Sequence, residues 1–380
     1  MIVAFGKVGA FQCEGEVEMR KRVVVAMSGG VDSSTTAWLL KEKGYEVIGA
    51  TMCIGTTDRA EGGPARCCSL ADIDDARRVA LQIEIPFYVF HLRDEFEKEV
   101  IQYFCGEYIK GRTPNPCILC NEKIKFGIFL EKALELEADF IATGHYARVD
   151  FDEKVGRYSL RKGRDRRKDQ SYVLFSLTQD QLHQTLFPLG EFRKEEVRKK
   201  ALQLGLRVHD KPESQEVCFI QETSYHSFLT ERLKESIDPG PILDKDGKVL
   251  GRHKGIPFYT IGQRRGLRLA KGKPLYVIGI DRGKNAIIVG GEEEVYSRTF
   301  KVDSVHWMIP PPMIASMNAQ VKIRYNHPGS EAFLTPQKED EVEVKFQSPQ
   351  KAITPGQAAV FYDGEIVLGG GWIKEVRSSE

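Results

Sequence analysis

The sequence predicts an α/β protein in which a doubly wound parallel-sheet domain precedes a small central domain and a C-terminal β-barrel. Strand-like and helix-like segments alternate from about residue 23 to residue 143, which is typical of a parallel sheet with helices on both faces. After about residue 210 this alternation ends. Short apolar runs separated by Gly, Pro and Asp turns then predict small β domains.

The individual elements follow from apolar patterns and from the residues that bound them. We expect strands at 23–27, 46–52, 86–90 and 139–143, with helices at 32–43, 72–83, 96–108 and 123–136. Barrel strands are expected at 276–280, 286–289, 321–325 and 358–362. We place domains at 21–212, 213–283 and 284–378, after an extension at 1–20 that we expect to be disordered.

The composition is that of an ordinary globular protein, and it excludes some classes of function. The chain has 380 residues, of which 41% are apolar and 29% charged, as in ordinary globular proteins. No run approaches about 18 uninterrupted apolar residues, so we expect no membrane span. The formal net charge of +1 means that a nucleic acid would have to be bound by local basic patches. Eight sparse cysteines indicate a reducing cytoplasm rather than a disulfide scaffold.

The strongest motif is a glycine- and serine-rich turn at 28–34, between the first strand and the first helix. Gly29 and Gly30 let backbone N–H groups approach a phosphate, and the helix N-terminus adds positive partial charge. Asp32 can hold Mg²⁺ on the same phosphates. The motif lacks the Gly-Lys-Ser/Thr ending of a Walker loop. The alternative interpretation is a serine-capped helix that follows a glycine turn.

Three cysteines are candidates for chemistry. Cys117 and Cys120 form a Cys-x-x-Cys motif at the head of a predicted helix, where a thiol pKa is expected to be lowered. Such a motif fits zinc, redox chemistry or catalytic sulfur, although structural zinc needs four ligands and no second Cys-x-x-Cys exists. Cys218 lies among apolar neighbours and, taken alone, is expected to be a buried structural residue.

A basic segment at 157–168 holds seven basic residues against one acid. We expect it to be a loop that contacts nucleic-acid phosphates. The alternative is a solvated charged turn.

These motifs together resemble a known family. The turn at 28–34 is similar to the pyrophosphate loop of the ATP pyrophosphatase superfamily, which has a Rossmann-like, adenine nucleotide α-hydrolase fold. Segments matching the tRNA-specific 2-thiouridylase family then follow in that family's order, from about residue 21 to 374. They lie at 28–34, 115–121, 143–146, 168–172, 218–220, 259–266, 355–358 and 369–373.

The resemblance implies a reaction and its residues. ATP would adenylate the C2 oxygen of the wobble uridine of tRNA, and sulfur would displace AMP. Cys218 would carry a persulfide received from a relay protein or a cysteine desulfurase, and Cys120 would be the nucleophile, leaving a disulfide between them. The implied nucleotide-binding residues are Ala26, Met27, Ser28, Gly29, Gly30, Val31, Asp32, Ser33, Met52 and Gly144. The implied tRNA-binding residues are His145, Lys168, Asp169, Gln170, Arg324, Tyr325 and Gln357.

One position departs from the common family pattern, in which Asp stands where this chain has Cys117. Cys117, Cys120 and Cys218 could instead hold a [4Fe–4S] cluster with one iron open to sulfide. Persulfide and cluster chemistry both remain open, with a slight preference for the cluster.

Two further functions are considered. One is another ATP-dependent ligase or amidotransferase of the same superfamily, which leaves the three cysteines unexplained. The other is a tRNA-binding iron–sulfur module without turnover, which leaves the intact phosphate loop unexplained.

Overall fold

The computed structural model describes residues 20–55, 70–211, 217–220, 225–233, 237–269, 273–308 and 315–377. The expected N-terminal extension, except for residue 20, lies outside the described residues, as do Cys13, Cys67 and Cys68. None of the helices in the described part of the chain combines the length and apolarity needed to cross a membrane.

The N-terminal domain contains a five-stranded sheet in the order β3-β2-β1-β4-β7, in which every pairing is parallel. Its first four strands confirm the predicted ones, and the two-residue β7 was not predicted. The strands are β1 (Arg22–Ala26), β2 (Glu46–Cys53), β3 (Phe87–His91), β4 (Phe140–Ala142) and β7 (Thr185–Leu186).

Helices cover this sheet. The predicted helix at 96–108 is found as three joined segments, and the one predicted at 123–136 begins earlier, at Pro116, so Cys117 and Cys120 are themselves helical. Both contain a π-helical segment, Glu97–Ile101 and Cys120–Ile128. The α-helices are α1 (Val31–Glu42), α2 (Leu70–Gln82), α3 (Arg93–Phe96), α4 (Gln102–Ile109), α5 (Pro116–Leu119), α6 (Phe129–Glu135), α7 (Gln179–His183), α8 (Lys194–Gln203) and α9 (Tyr225–Leu233).

A hairpin of β5 (Ala147–Asp152) and β6 (Arg157–Lys162) corrects the expectation of a loop for residues 157–162, whereas residues 163–168 form a loop as predicted. The fully buried Leu160 lies in the middle of β6, but charged residues on either side of it hide the alternating pattern in the sequence. The hairpin leaves the N-terminal domain and extends the sheet of the C-terminal barrel, where Ile366 pairs with Arg161.

The central domain is a four-stranded sheet in the order β10-β11-β8-β9. It confirms the strands predicted at 276–280 and 286–289. Its strands are β8 (Gly240–Leu243), β9 (Val249–His253), β10 (Tyr276–Asp281) and β11 (Ala286–Gly290).

The C-terminal sheet is closed into a barrel by pairing of β12 with both β15 and β17. The order is β12-β15-β14-β13-β16-β17-β6-β5, and the strand expected at 321–325 begins and ends earlier than predicted. The strands are β12 (Tyr296–Trp307), β13 (Met317–Lys322), β14 (Ser330–Lys338), β15 (Glu341–Lys351), β16 (Ala358–Asp363) and β17 (Ile366–Val376).

The N-terminal domain and the barrel share one apolar core, which unites β1 and β4 with β16 and β17. Tyr172, fully buried in that core, donates a hydrogen bond of 2.9 Å to the backbone oxygen of Ala358. Because a buried hydroxyl without a partner is costly, this bond favours one docked arrangement of the two domains.

Candidate active site

The turn at 28–34, here called the phosphate loop, lies at the carboxyl end of β1 and leads into α1. The Ser33 hydroxyl lies 3.3 Å from the Ser28 hydroxyl and accepts a hydrogen bond of 3.1 Å from the Ser28 backbone N–H. Gly30 caps α1 with an extended backbone and no side-chain bond to the helix. Backbone amides and hydroxyls are thereby gathered at a helix N-terminus, where an anion is stabilised.

Gly29 must be glycine. Its φ is +71°, and a Cβ at this position would lie 2.3 Å from the backbone oxygen of Asp72. Lys211 fixes the peptide that follows, because its Nζ donates to the Gly29 oxygen at 3.1 Å and to carboxylates of Asp72 and Asp75 at 2.7 and 2.8 Å. In a trans peptide, the N–H of Gly30 points away from that carbonyl, and therefore away from Lys211.

Asp32 is held by two side chains that the sequence analysis did not include in the site. Lys194, at the start of α8, donates from Nζ to Oδ1 at 2.8 Å and to Oδ2 at 2.7 Å, and the Tyr146 hydroxyl donates to Oδ1 at 2.8 Å. The Lys194 side chain is only 8% exposed. Asp165 anchors the helix that carries it by accepting the Lys194 backbone N–H at 3.1 Å.

The fit of Mg²⁺ to this site depends on Asp32. Magnesium is often held by one or two carboxylates together with substrate phosphates, so the donor chemistry fits. The Lys194 ammonium would compete with Mg²⁺ for Asp32, since both carboxylate oxygens of Asp32 accept its hydrogen bonds.

The other residues expected to bind nucleotide surround the same loop. Ala26 ends β1 and Met27 follows it, and Thr51 donates from its hydroxyl to the Met27 oxygen at 2.7 Å. Met52, in the adjacent β2, is half-buried. At Gly144 a Cβ would lie 3.0 Å from both the Asp32 Cβ and the Ser33 nitrogen, so this glycine permits close packing on the loop.

Residues 111–117, here called the cysteine loop, lie where all three domains meet. From the barrel, the Pro355 oxygen accepts the Thr113 N–H at 2.9 Å. From the central domain, the hydroxyl of Thr260 lies 3.1 Å from that of Thr113. Asn115 caps α5 by accepting the Cys117 N–H at 3.1 Å. The loop is therefore fixed by contacts far apart in sequence.

The structure brings together the three cysteines that the sequence singled out, and all three are free thiols. Cys120 is buried in an apolar cluster that contains Phe219, and the half-buried Cys218 packs against it. Cys117 is surface-exposed, yet surrounding protein desolvates its thiolate and the neighbouring Cys218 adds repulsion, so its pKa is raised. Lys125 opposes this shift.

The raised pKa of Cys117 corrects the expectation of a lowered one. Desolvation is the largest influence on this thiol. The helix that Cys117 heads continues from Pro116 to Glu135 as α5, a π-helical segment and α6, so the raised pKa reflects burial of the thiol and not a short helix. Lys125 is a nearby charge that favours the thiolate at this position.

Cys117, Cys120 and Cys218 are the candidate ligands of an iron–sulfur cluster. Within the described ranges, which include these thiols, no three His, Cys, Asp or Glu side chains are placed to bind one metal ion. The three thiols therefore do not form a single-metal site, whereas a [4Fe–4S] cluster binds each thiolate through a different iron atom.

Residues 168–170, expected to contact tRNA, are also tied to the phosphate loop. Buried Asp169 accepts the N–H groups of Gly163 and Ser171, both at 3.1 Å, so its carboxylate stabilises the local turn. Gln170 accepts the Tyr146 N–H through Oε1 at 3.0 Å, which helps to place the phenol that binds Asp32. Lys168 is half-buried.

His145 was also expected near tRNA, but its ring is buried. Its Nδ1 lies 2.6 Å from the Thr143 hydroxyl, and the ring packs against Phe126 and Phe187. Burial lowers the pKa of His145, and Lys125 lowers it further. The imidazole is therefore neutral at pH 7, and a direct tRNA contact requires its surroundings to open.

Arg324 and Tyr325 lie on the barrel surface, where a base and a phosphate can reach them. Arg324 is exposed and donates to the Lys351 oxygen at 3.1 Å, and Tyr325 has its ring edge-on to Tyr172 at 6.2 Å. Gln357 lies elsewhere on the barrel and contacts the cysteine loop. The predicted tRNA contacts are thus distributed over both large domains.

Several arginines of the basic segment at 157–168 lie beside carboxylates, so the segment is less positive than its own residues indicate. Arg164 lies 3.6 Å from the carboxylate of Glu196, and Arg167 lies 3.5 Å from that of Glu195. Arg166 pairs with Glu365 of the barrel. These acids come from distant parts of the chain, so a local count of charges overlooks them.

Lys194, Lys211 and Tyr146 are the contributors to the site that sequence reasoning missed. Tyr146 ends the family-like segment 143–146, which offered a signal. Lys194 begins an acidic first helical turn with Glu195 and Glu196. Nothing in the sequence singles out Lys211, whose role depends on its approach to Gly29.

Comparisons with known proteins are specific. A model described as the tRNA methyl transferase HUP domain matches residues 21–222, and the corresponding PRC-barrel domain matches 226–291. An aminomethyltransferase β-barrel domain model matches 297–373.

The chain is 53% identical over 358 residues to the tRNA-specific 2-thiouridylase MnmA of Halothermothrix orenii, covering 93% of this chain and 99% of that relative. It is 52% identical over 357 residues to the protein of the same name from Heliobacterium modesticaldum, covering 93% of each.

Proposed function

The chain belongs to the tRNA-specific 2-thiouridylase family, and from this membership we propose how its residues carry out ATP-dependent 2-thiolation of a tRNA uridine. The observation that carries the proposal is the meeting of Cys218 with Cys117 and Cys120, about a hundred residues apart in sequence. The phosphate loop supplies the activation step, and the cysteines supply the sulfur step.

In the activation step, the uridine C2 oxygen attacks the α-phosphate of ATP, and pyrophosphate leaves. The loop amides around Gly29 and Gly30 bind the phosphates, and Lys194 stabilises negative charge that develops on them. Mg²⁺, bound through Asp32 and the phosphates, would neutralise part of that charge. Tyr146 and Lys194 keep the Asp32 carboxylate in place before ATP arrives.

In the sulfur step, a persulfide on Cys218 attacks C2, and AMP leaves with the former C2 oxygen. The terminal sulfur is then bonded to both C2 and the Cys218 sulfur. The Cys120 thiolate attacks the Cys218 sulfur, forms a disulfide with it and releases the 2-thiouridine. Both thiols lie at one apolar cluster, with Cys120 inside it and the half-buried Cys218 packed against it, which supports this pairing. The pairing requires two thiols and no metal ligand.

We place sulfur delivery with a relay protein or a cysteine desulfurase in a reducing cytoplasm. The persulfide consumed in each turnover must be restored, and the disulfide must be reduced. Cys218 is half-buried rather than fully buried, so part of this residue is accessible to the donor.

The proposal is tested by incubating the protein with ATP, unmodified tRNA and a persulfide donor, and measuring AMP and 2-thiouridine. We expect equal amounts of both, and neither product without ATP. Cys120→Ser and Cys218→Ser should each abolish 2-thiouridine and retain tRNA binding. Thiolation that persists in either variant would refute the proposed roles.

A further inference from the structure

The amide of Gln357 faces the cysteine loop. Its Nε2 donates to the backbone oxygens of Thr113 at 2.9 Å and Pro114 at 3.3 Å. Because both partners can only accept, the amide nitrogen must face them. The bonds join the barrel to the loop that begins the cysteine-bearing helix.

The surrounding contacts leave this loop little freedom. A Cβ on Gly356 would lie 2.9 Å from the Thr113 nitrogen, so the barrel backbone presses directly on the loop. On its other side, a Cβ on Gly111 would lie 2.7 Å from Ile280 of the central domain. Asn115 of this loop caps the helix by accepting the Cys117 N–H, so the position of the loop determines where Cys117 lies.

We propose that Gln357 is a positioning residue that fixes the Cys117–Cys120 helix for sulfur transfer. The inference rests on the proposed function of these cysteines. It makes the C-terminal barrel part of the sulfur-transfer site, because barrel residues bind the loop that precedes Cys117.

The test compares Gln357→Met, which keeps side-chain length but removes both donors, with wild-type protein. Gln320→Met is the matched control. Its amide oxygen also accepts a long-range hydrogen bond, from Lys162 Nζ of β6 at 2.9 Å, and it lies on β13, away from the cysteine loop. Thr260→Val removes the hydroxyl on the opposite side of the loop and serves as a second probe if Gln357→Met folds poorly.

Three quantities are measured: alkylation rates of individual thiols by peptide mass analysis, the Kd for tRNA, and kcat with KM for thiolation. In Gln357→Met we expect Cys117 to be alkylated several-fold faster than in wild type, relative to Cys53 in the same molecule. We expect kcat to fall about tenfold, while KM and Kd for tRNA change less than about twofold. Thr260→Val should shift the Cys117 rate in the same direction, and Gln320→Met should shift none of the three.

A weakened Kd with an unchanged Cys117 rate would overturn the inference and identify Gln357 as a tRNA contact. Unchanged values throughout would overturn it as well. The alkylation rates require no turnover. A wild-type protein that makes no 2-thiouridine would therefore refute the proposed function, while the alkylation result would still decide whether Gln357 positions the loop.

Discussion

Lys194 Nζ lies 2.8 and 2.7 Å from the two carboxylate oxygens of Asp32, so the acid of the phosphate loop is bound by a lysine whose side chain is only 8% exposed. The pair joins the start of α8 to the start of α1. A cation is thus already present where the phosphates of ATP are expected to bind.

Removing that cation should impair adenylation. Lys194→Met is expected to lower kcat/KM for AMP formation about a hundredfold, because charge that develops on the phosphates loses a fixed partner. Asp32→Asn should also lower AMP formation strongly. Lys200→Met is the control, since Lys200 lies on the same helix with its Nζ 5.0 Å from the ring of Trp38. A normal rate of AMP formation in Lys194→Met would contradict this role.

The same pair predicts a coupling in stability. The sequence alone gave no reason for Asp32→Ala to affect the fold, but this change leaves the Lys194 ammonium without its carboxylate in a buried place. We expect a loss on the order of 3 kcal/mol in the free energy of unfolding. The double variant Asp32→Ala/Lys194→Met should recover much of that loss while remaining inactive. Additive losses in urea denaturation would show that the two residues are not coupled.

Gly29 offers a test of loop geometry. Gly29→Ala should reduce AMP formation about a hundredfold, because the new Cβ would lie 2.3 Å from the Asp72 oxygen and displace the loop. Gly44→Ala is the matched control. It has a similar φ of +86° but no atom within 4 Å of the added Cβ, so it should cost about 1 kcal/mol of stability and leave AMP formation intact. Equal activities in the two variants would contradict the account of the loop.

Lys125 should control the ionisation of Cys117. Its positive charge lowers the pKa of a thiol that burial raises, so Lys125→Met should raise that pKa further. Less thiolate is then present at a given pH, and alkylation of Cys117 at pH 8 should slow by about threefold, with its midpoint moved to higher pH. Lys123→Met is the control, since Lys123 pairs with Glu122 at 2.8 Å. An unmoved midpoint would show that Lys125 has no influence on the thiol.

Much of the N-terminal fold could be predicted from the sequence, because buried parallel strands and covering helices leave continuous local patterns. The phosphate loop is also local, since Gly29 and Asp32 lie within four residues. The contacts that complete the site are not local. Lys194 reaches Asp32 across 162 residues and Gln357 reaches Thr113 across 244, so no window of sequence shows them.

The two β domains show the same limit. The strands predicted from short apolar runs at 276–280 in the central domain and at 358–362 in the barrel are present. The hairpin that ends at Lys162 was missed, although β5 alternates Ala147, Val149 and Phe151 with charged residues. Its basic second strand, in which only Leu160 is fully buried, was interpreted as part of a phosphate-binding loop. Its place beside β17 depends on how the two domains pack.

The central claim is that sulfur passes through Cys218 and Cys120 without a metal cluster. It is tested most directly by thiolation with Cys117→Asp protein whose iron content has been measured. We expect iron-free Cys117→Asp protein to form 2-thiouridine from ATP, tRNA and a persulfide donor at a rate near that of wild type, because the relay needs thiols only at the other two positions. Wild-type protein that is active only when it contains iron, together with inactive Cys117→Asp protein, would contradict the account.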